Sequence, residues 1–237
     1  MTLFRWLRRG SGLPQDLGAR LAHWRALPSL RADTAIEQAS FALIDVETAG
    51  LNPRRNALLS IGAVRLDGLR LDVGDCFEVL LQPATAPPVD NVLVHGMSPS
   101  ELARGEPPER GLLALLEYVG KRPLVAFNAP FDREALRRAA RRYLHTTLPN
   151  IWLDLAWLAP ALAPEARLHQ APFDDWLRHF GLRTYARHRA VADALAAGEL
   201  FMVLLAHARA RGVPTVRALC DLAEAEARGN NIGGIGA

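Results

Sequence analysis

Cysteine is nearly absent from this sequence of 237 residues, which contains only Cys76 and Cys220. Two thiols are too few for a disulfide scaffold or a cysteine-rich zinc module, so both classes of protein are excluded. Reduced thiols are typical of the cytosol, and we therefore expect a cytoplasmic protein. Lysine is rarer still, because Lys121 stands alone among 28 basic residues and arginine supplies the rest.

Long apolar runs are also missing. No uninterrupted run reaches the length of a membrane span, and arginines interrupt the first nine residues before a signal-peptide core can form. We therefore expect a soluble protein with no membrane partner. The net charge of +3 permits anionic partners without demanding them. Half of the residues are apolar and 22% are charged, which suits one globular domain with an appendage.

Residues 1–39 are predicted to form an N-terminal helical extension. Leu17, Leu21 and Trp24 recur at helical spacing between two prolines, as in a short amphipathic helix. The apolar face of such a helix needs a surface to cover it. Its own domain is the commoner cover, and a protein partner or a second copy of the chain is the alternative.

Strand and helix signals between residues 40 and 211 predict one α/β domain. Residues 41–46 are typical of a buried strand, and Asp67-Gly68 joins two longer strands into an antiparallel hairpin. Two short strands, at residues 124–127 and 151–153, then alternate with helices. This order predicts a mixed five-stranded sheet flanked by helices. The helices are expected at residues 107–119, 131–143, 173–180 and 190–210.

Residues 212–237 are expected to form a C-terminal helix and a flexible tail. The last nine residues, 229–237, include four glycines and two asparagines. We expect these nine residues to be disordered.

Asp45 and Glu47 lie two residues apart at the end of the first predicted strand. The two-residue period of a strand places both side chains on one face. Buried neighbouring carboxylates repel each other, and a divalent cation is the natural compensation. Ligation by oxygen alone suits Mg²⁺ or Mn²⁺. The alternative is that one acid caps a turn while the other is solvated.

Two further acids begin predicted helices. Asp132 lies in the first turn after the strand at residues 124–127, and Asp193 lies in the first turn of the long helix. His188 precedes Asp193 by five residues. Taken singly, each aspartate could simply favour the helix dipole, and the histidine could be a surface residue.

Three stretches resemble the motifs of the DEDDh 3′-to-5′ exonucleases, a family with a ribonuclease-H-like fold. They are residues 45–50 (Asp-Val-Glu-Thr-Ala-Gly), 128–132 (Asn-Ala-Pro-Phe-Asp) and 188–193 (His-Arg-Ala-Val-Ala-Asp), in the family's order. A histidine five residues before the last acid marks the DEDDh type, and the position where the alternative type carries tyrosine is Arg189. These motifs are similar to those of the proofreading epsilon subunit of bacterial DNA polymerase III and of ribonuclease T.

The resemblance extends over residues 41–211 and includes weaker signatures. These are residues 61–64, residues 94–98 and Asp154-Leu155. Two positions depart from the family pattern, because many members carry threonine in place of Ala49 and histidine in place of Phe127. Neither position is a metal ligand in the family.

The resemblance implies a metal-dependent 3′-to-5′ exonuclease with two divalent ions, Mg²⁺ or Mn²⁺. The metal ligands implied by the family pattern are Asp45, Glu47, Asp132 and Asp193, and the implied general base is His188. The candidate substrate-binding residues are Thr48, Leu51, Asn128 and Phe131, of which Leu51 and Phe131 could equally belong to the core.

Three functions remain open from the sequence. The favoured substrate is a single-stranded DNA 3′ end, processed by a free-standing nuclease rather than a dedicated replicative proofreader. An RNA-directed 3′ exoribonuclease of the same chemistry is the nearest alternative, because the two substrates differ by one hydroxyl. The third is an inactive polymerase-associated module that docks through Leu17, Leu21 and Trp24, although the intact set of acids argues against it.

Overall fold

One mixed sheet of five strands forms the centre of the protein. The computed structural model describes residues 13–84, 97–184 and 186–233. The strands are β1 (Ser40–Thr48), β2 (Leu58–Asp67), β3 (Arg70–Leu80), β4 (Leu124–Ala126) and β5 (Trp152–Asp154). They lie in the order β3-β2-β1-β4-β5, with β1, β4 and β5 parallel and the β1–β2 and β2–β3 pairs antiparallel.

Helices flank this sheet within the described ranges. They are α1 (Gln15–Ala26), α2 (Pro99–Ala103), α3 (Pro108–Val119), α4 (Ala129–Leu144), α5 (Leu155–Leu162), α6 (Phe173–His179), α7 (Ala190–Ala210) and α8 (Val216–Gly233). A short 3₁₀ turn covers Pro164–Ala166. The predicted fold class, a ribonuclease-H-like mixed five-stranded sheet with an N-terminal helix, is confirmed.

The predicted hairpin is confirmed, with its turn one residue later than expected. Asp67 pairs with Arg70, so the two central residues of the turn are Gly68 and Leu69. Both have positive φ, at 54° and 63°, as a tight hairpin turn of this kind requires.

The two faces of the sheet pack against different helices. Alternate residues of β1 point to opposite sides, so Phe41 and Leu43 join the core beneath α5, α7 and α8. Ala42, Ile44 and Val46 join a second core beneath α1, α3 and α4. The odd-numbered residues of β1, including its two acids, therefore belong to the α7 side.

Helix α7 is long and apolar enough to cross a membrane by length and composition alone, with a mean hydropathy of 1.6. Asp193 and Glu199 interrupt its apolar residues, so α7 is not one of the uninterrupted apolar runs that the sequence was expected to lack. Its composition has a structural reason here, because 56% of the segment is buried and α7 packs against β1 and β2.

Helix α1 packs on its own domain. Leu17, Leu21 and Trp24 are all buried, and the Trp24 indole Nε1 donates a hydrogen bond of 3.1 Å to the Gly120 carbonyl. An ion pair of 2.6 Å between Arg20 and Glu117 adds a contact with α3. The alternative in which these three apolar residues dock a partner is wrong for this structure, because the domain already covers them.

The C-terminal helix extends further than the sequence suggests. Helix α8 continues to Gly233, so the disorder expected for residues 229–237 is wrong for 229–233. Val216 and Leu219 of α8 are buried in the same core as α5. Residues 234–237, residues 1–12 and positions 94–96 of the weak signature at 94–98 lie outside the described residues.

Candidate active site

Asp45 and Glu47 share the α7 side of β1, as their spacing predicts. Carboxylate oxygens of Asp45, Glu47 and Asp193 all lie within 4.8 Å of one another. The pairing of β1 with β2 shifts register between Glu47 and Thr48, a local irregularity at the point where the strand ends. Two strand acids and one helix acid, distant in sequence, thus form one group.

The approach of α7 to the sheet explains how Asp193 reaches the strand acids. Gly62 of β2 lies opposite Asp45 in the sheet register. A Cβ atom at Gly62 would lie 2.1 Å from the Ala190 carbonyl carbon and 2.1 Å from the Val191 nitrogen, so only glycine allows this contact. The first turn of α7, which carries Asp193, can therefore rest directly on β2.

Asp132 approaches the same end of β1 from α4. It is buried, and its Oδ1 accepts a hydrogen bond of 3.0 Å from the Val46 backbone nitrogen. Among the described residues, Asp132 is not a member of the group of three acids that lie within ligand distance. The structure thus brings all four predicted acids to one place but directs one oxygen of Asp132 toward the backbone.

Burial and mutual repulsion disfavour the charged forms of these acids. Burial raises the pKa of Asp45 well above its usual range, and the charges of Asp132, Glu47 and Asp193 raise it further, whereas Arg187 lowers it. Burial and then the charge of Asp193 raise the pKa of Glu47 to about 7. Burial likewise raises the pKa of Asp132. The protein concentrates more negative charge here than its own cations neutralise.

This acidic group fits divalent cations. The donor atoms are carboxylate oxygens alone, which hard cations such as Mg²⁺ and Mn²⁺ prefer. Unneutralised buried carboxylates are costly, and a bound dication would remove that cost.

His188 stands beside the acids on the loop that precedes α7. It has a positive φ of 63°, and its backbone nitrogen donates a 3.0 Å hydrogen bond to Asp193 Oδ2. The residue is exposed to solvent. Asp193 therefore anchors the backbone at the residue whose imidazole the family pattern marks as a base.

A cavity of about 230 Å³ joins most of the predicted residues. Those that line it are Asp45, Glu47, Asn128, Phe131, Asp132, His188 and Asp193. Thr48 and Leu51 are not part of this lining. The Thr48 hydroxyl donates to the Gly50 carbonyl at 2.6 Å, and Leu51 is 97% exposed, so its alternative place in the core is wrong.

Asp154 is a positioning residue to which the sequence assigns no role. Its Oδ1 accepts hydrogen bonds from the backbone nitrogens of Asn128, at 2.9 Å, and Ala156, at 3.0 Å. These bonds tie the loop before α4, which carries Asn128 and leads to Asp132, to the end of β5. The signal in the sequence is an acid at the end of a short strand, within the Asp154-Leu155 signature.

Arg187 is a second residue whose contacts sequence reasoning misses. Its guanidinium bonds Asp193 Oδ1 at 2.5 Å and Asp174 Oδ1 at 2.9 Å. It also lies 5.3 Å from the centre of the Phe173 ring. The position next to His188 is the available signal, but only the folded chain brings Asp174 and Phe173 to it.

Comparison with known proteins places this site in context. The RNase_T family model, described as an exonuclease, matches residues 42–201. The Rhodobacter capsulatus DNA polymerase III subunit epsilon-like protein is 31% identical over 195 residues, covering 81% of this chain and 27% of that protein. The Treponema pallidum DNA polymerase III subunit epsilon is 29% identical over 171 residues, covering 72% of this chain and 79% of that protein.

Solved structures agree with the fold. E. coli exonuclease I in complex with a dT13 oligonucleotide superposes with a TM-score of 0.61 at 23% identity, covering 73% of this chain and 42% of that chain. The PolC-type DNA polymerase III of Thermotoga maritima is 26% identical over 174 residues, covering 73% of this chain. This chain spans 12% of that polymerase and about a quarter of the Rhodobacter protein.

Proposed function

Because the chain belongs to the DEDDh exonuclease family, we propose that it hydrolyses phosphodiester bonds from the 3′ ends of nucleic acid in a metal-dependent reaction. The observation that carries the proposal is the convergence of Asp45, Glu47 and Asp193 within 4.8 Å. Placing three neighbouring carboxylates away from solvent is costly, and they serve no evident purpose in packing. They share one cavity with the exposed His188, an arrangement that suits phosphodiester chemistry.

The four acids have distinct places in this proposal. Asp45, Glu47 and Asp193 would hold one divalent ion, and Asp132, with Asp45, would hold a second. Such ions, when bound, stabilise charge on the attacked phosphate and favour deprotonation of the attacking water. Asp132 also accepts the Val46 hydrogen bond, which keeps the end of β1 in place beside it.

His188 acts as the general base in this proposal. Its imidazole accepts a proton from the attacking water while the water oxygen forms a bond to phosphorus. The bond between phosphorus and the 3′ oxygen of the preceding nucleotide then breaks, and that oxygen takes a proton from solvent. The products are a nucleoside 5′-monophosphate and a strand shorter by one nucleotide. Histidine is the side chain that most often serves as a general base in enzymes.

The substrate proposed is single-stranded DNA. Two relatives are named as DNA polymerase III epsilon or epsilon-like proteins, and structures of E. coli exonuclease I contain DNA oligonucleotides. Leu51 is exposed next to the first motif and can pack against a terminal base, and Phe131 lines the cavity. Asn128 and Thr48 are the polar candidates for contacts with the terminal nucleotide.

A cleavage assay tests the proposal. The protein is incubated with DNA and RNA oligomers of one sequence, labelled at either end, in Mg²⁺, Mn²⁺ or EDTA. We expect mononucleotide release from the 3′ end of DNA with either metal and none in EDTA. Cleavage that persists in EDTA would refute the metal-dependent reaction, and preference for RNA would select the ribonuclease alternative.

Two variants assign roles in the same assay. We expect His188→Ala to lower kcat about 10²- to 10⁴-fold while leaving Mn²⁺ binding unchanged, since a base is lost and no ligand. Added imidazole should restore part of the rate. If His188→Ala retains the full rate and the same pH profile, His188 is not the base.

A further inference from the structure

Arg187 places a positive charge within the proposed metal site. Its side chain is 33% exposed, whereas the Asp193 side chain that it contacts is only 6% exposed. The bond of 2.5 Å to Asp193 is charge-assisted, and such bonds are about twice as strong as neutral ones. A guanidinium is not deprotonated in proteins, so the group is cationic at this position.

Both oxygens of Asp193 already have donors. Oδ1 accepts from the Arg187 guanidinium and Oδ2 accepts from the His188 backbone nitrogen. Each oxygen keeps a second lone pair, but a divalent ion bound by Asp45, Glu47 and Asp193 would lie beside the guanidinium, and the two positive charges repel each other. Of the two donors, the guanidinium is the one that can move, because the other is part of the backbone that leads into α7.

Arg187 has a second set of contacts that can retain it. Its Nε forms an ion pair with Asp174 of α6 at 2.9 Å, and its guanidinium carbon lies 5.3 Å from the centre of the Phe173 ring. Asp174 is about half exposed, at 53%. Rotation about the terminal bonds of the arginine can therefore release Asp193 while the contact with α6 is kept.

We propose that Arg187 is a resident counter-cation that competes with the divalent ion for Asp193 and so sets the metal affinity of the site. This inference rests on the metal site of the proposed function. In the metal-free protein, Arg187 neutralises Asp193. When the ion binds, the guanidinium leaves Asp193 and remains on Asp174 and Phe173.

Calorimetric titration with Mn²⁺ tests this competition in the full chain. We expect Arg187→Gln to bind Mn²⁺ about tenfold more tightly than the wild type, because the internal competitor is gone. Arg189→Gln is the matched control. Arg189 is two residues away and 64% exposed, and it pairs with Glu78 at 3.6 Å, so at about 0.15 M salt its removal should change the dissociation constant less than about twofold.

Thermal unfolding supplies an independent readout. In EDTA, Arg187→Gln should melt at a lower temperature than the wild type, because Asp193 loses its counter-charge. Saturating Mn²⁺ should narrow that difference, since the metal replaces the arginine in both proteins. Arg187→Lys keeps the charge and replaces the glutamine variant in these experiments if that variant does not fold. Its affinity for Mn²⁺ should increase by a smaller factor.

The outcomes separate this inference from the proposed function. Unchanged or weaker Mn²⁺ binding by the Arg187 variants would overturn the competition, because Arg187 would then merely orient Asp193. Equal tightening in Arg189→Gln would also overturn it, as a general effect of charge. Either result would leave the proposed function intact, because the wild type could still bind Mn²⁺ and cleave DNA. If the wild type and both Arg187 variants neither bind Mn²⁺ nor cleave, the proposed function fails as well.

Discussion

Individual carboxylates of the site are needed for the proposed activity but destabilise the metal-free fold. Glu47 and Asp132 are buried and Asp45 is partly buried, and burial raises the pKa of each, so their ionisation opposes the metal-free fold. Asp193, in contrast, forms an ion pair with Arg187. Neutral substitutions of Asp45 and Glu47 should therefore lower activity and raise the stability of the metal-free protein.

The first prediction concerns Asp45→Asn. Exonuclease activity should fall by about a hundredfold or more, because the variant loses a carboxylate that the proposed mechanism assigns to metal binding. The melting temperature in EDTA should rise, because the amide is neutral and the repulsion disappears. Both are measured on one preparation, with Asp221→Asn, an exposed acid of α8, as the control. An Asp45→Asn protein that melts lower in EDTA would show that Asp45 stabilises the metal-free fold.

The second prediction concerns pH. The pKa of Glu47 is raised to about 7, above the ordinary value of 4.5 that applies in the unfolded chain. The folded metal-free protein therefore binds more protons than the unfolded chain between these values, and its stability falls as pH rises through this window. We expect a loss on the order of 2 kcal/mol between pH 5 and pH 8 in EDTA.

Urea unfolding at a series of pH values measures that loss. Glu47→Gln should flatten the slope, because glutamine does not titrate. Saturating Mn²⁺ should reverse it, since the metal binds the deprotonated acids and its affinity rises with pH. A wild-type slope in EDTA that Glu47→Gln leaves unaltered would assign the pH dependence to other groups.

At the scale of secondary-structure elements, the contact of α7 with β2 brings the acid of the helix close to the acids of the strand. Asp193 and His188 belong to α7 and the loop before it, whereas Asp45 and Glu47 belong to β1. Gly62 is the point where the backbone of α7 touches the sheet. The distance between the helix acid and the strand acids therefore depends on one missing side chain.

The third prediction concerns Gly62→Ala. The added methyl group would meet the backbone of α7, which cannot rotate away as a side chain could. We expect a destabilisation of about 1 to 3 kcal/mol, as in other overpacked cores. Activity should fall on the order of a hundredfold, because a shift of about 1 Å misplaces Asp193 and His188.

Gly18→Ala is the matched control for that substitution. Gly18 lies in α1, and no atom lies within 4 Å of the position that an added methyl group would take, so alanine should stabilise the helix by up to about 1 kcal/mol. Denaturant unfolding and the cleavage assay compare the two variants. A Gly62→Ala protein as active as Gly18→Ala would mean that α7 does not need this close approach.

The molecule as a whole joins its N-terminal and C-terminal helices to the central sheet. Helix α1 contributes the fully buried Trp24, over whose ring the Lys121 ammonium lies at 3.1 Å. Helix α8 contributes Val216 and Leu219 on the other side of the sheet. The segments at residues 13–39 and 212–233 thus form part of the same packed unit as the family's domain.

The fourth prediction concerns Trp24→Ala. Loss of this buried ring should destabilise the protein by about 3 to 5 kcal/mol. Activity below the unfolding transition should be nearly unchanged, because Trp24 packs on the face of the sheet opposite to the one that carries Asp45, Glu47 and Asp193. Urea denaturation followed by cleavage assays at low temperature checks both. A large loss of activity in the folded variant would indicate that α1 contributes to the site.

Much of the site can be predicted from the sequence alone. The two-residue spacing of Asp45 and Glu47 correctly predicts a shared face, and the first-turn positions of Asp132 and Asp193 are confirmed. The contacts of Arg187 could not be read in the same way, because its partner Asp174 is on another helix. The same holds for Asp132, whose bond to Val46 depends on how α4 meets β1.

Local patterns were sufficient for the order of strands and helices along the chain and for the pairing of Asp45 with Glu47 on one face, because these depend on spacing and side-chain type. The residues proposed to carry phosphodiester chemistry followed from the resemblance of three motifs to the exonuclease family. Only the tertiary structure decided three features: the grouping of three acids, the ion pair between Arg187 and Asp193, and the burial of the apolar face of α1 against its own domain. Each of them joins residues that the sheet and its helices bring together. Spacing specifies which residues are available, whereas long-range packing specifies which of them meet.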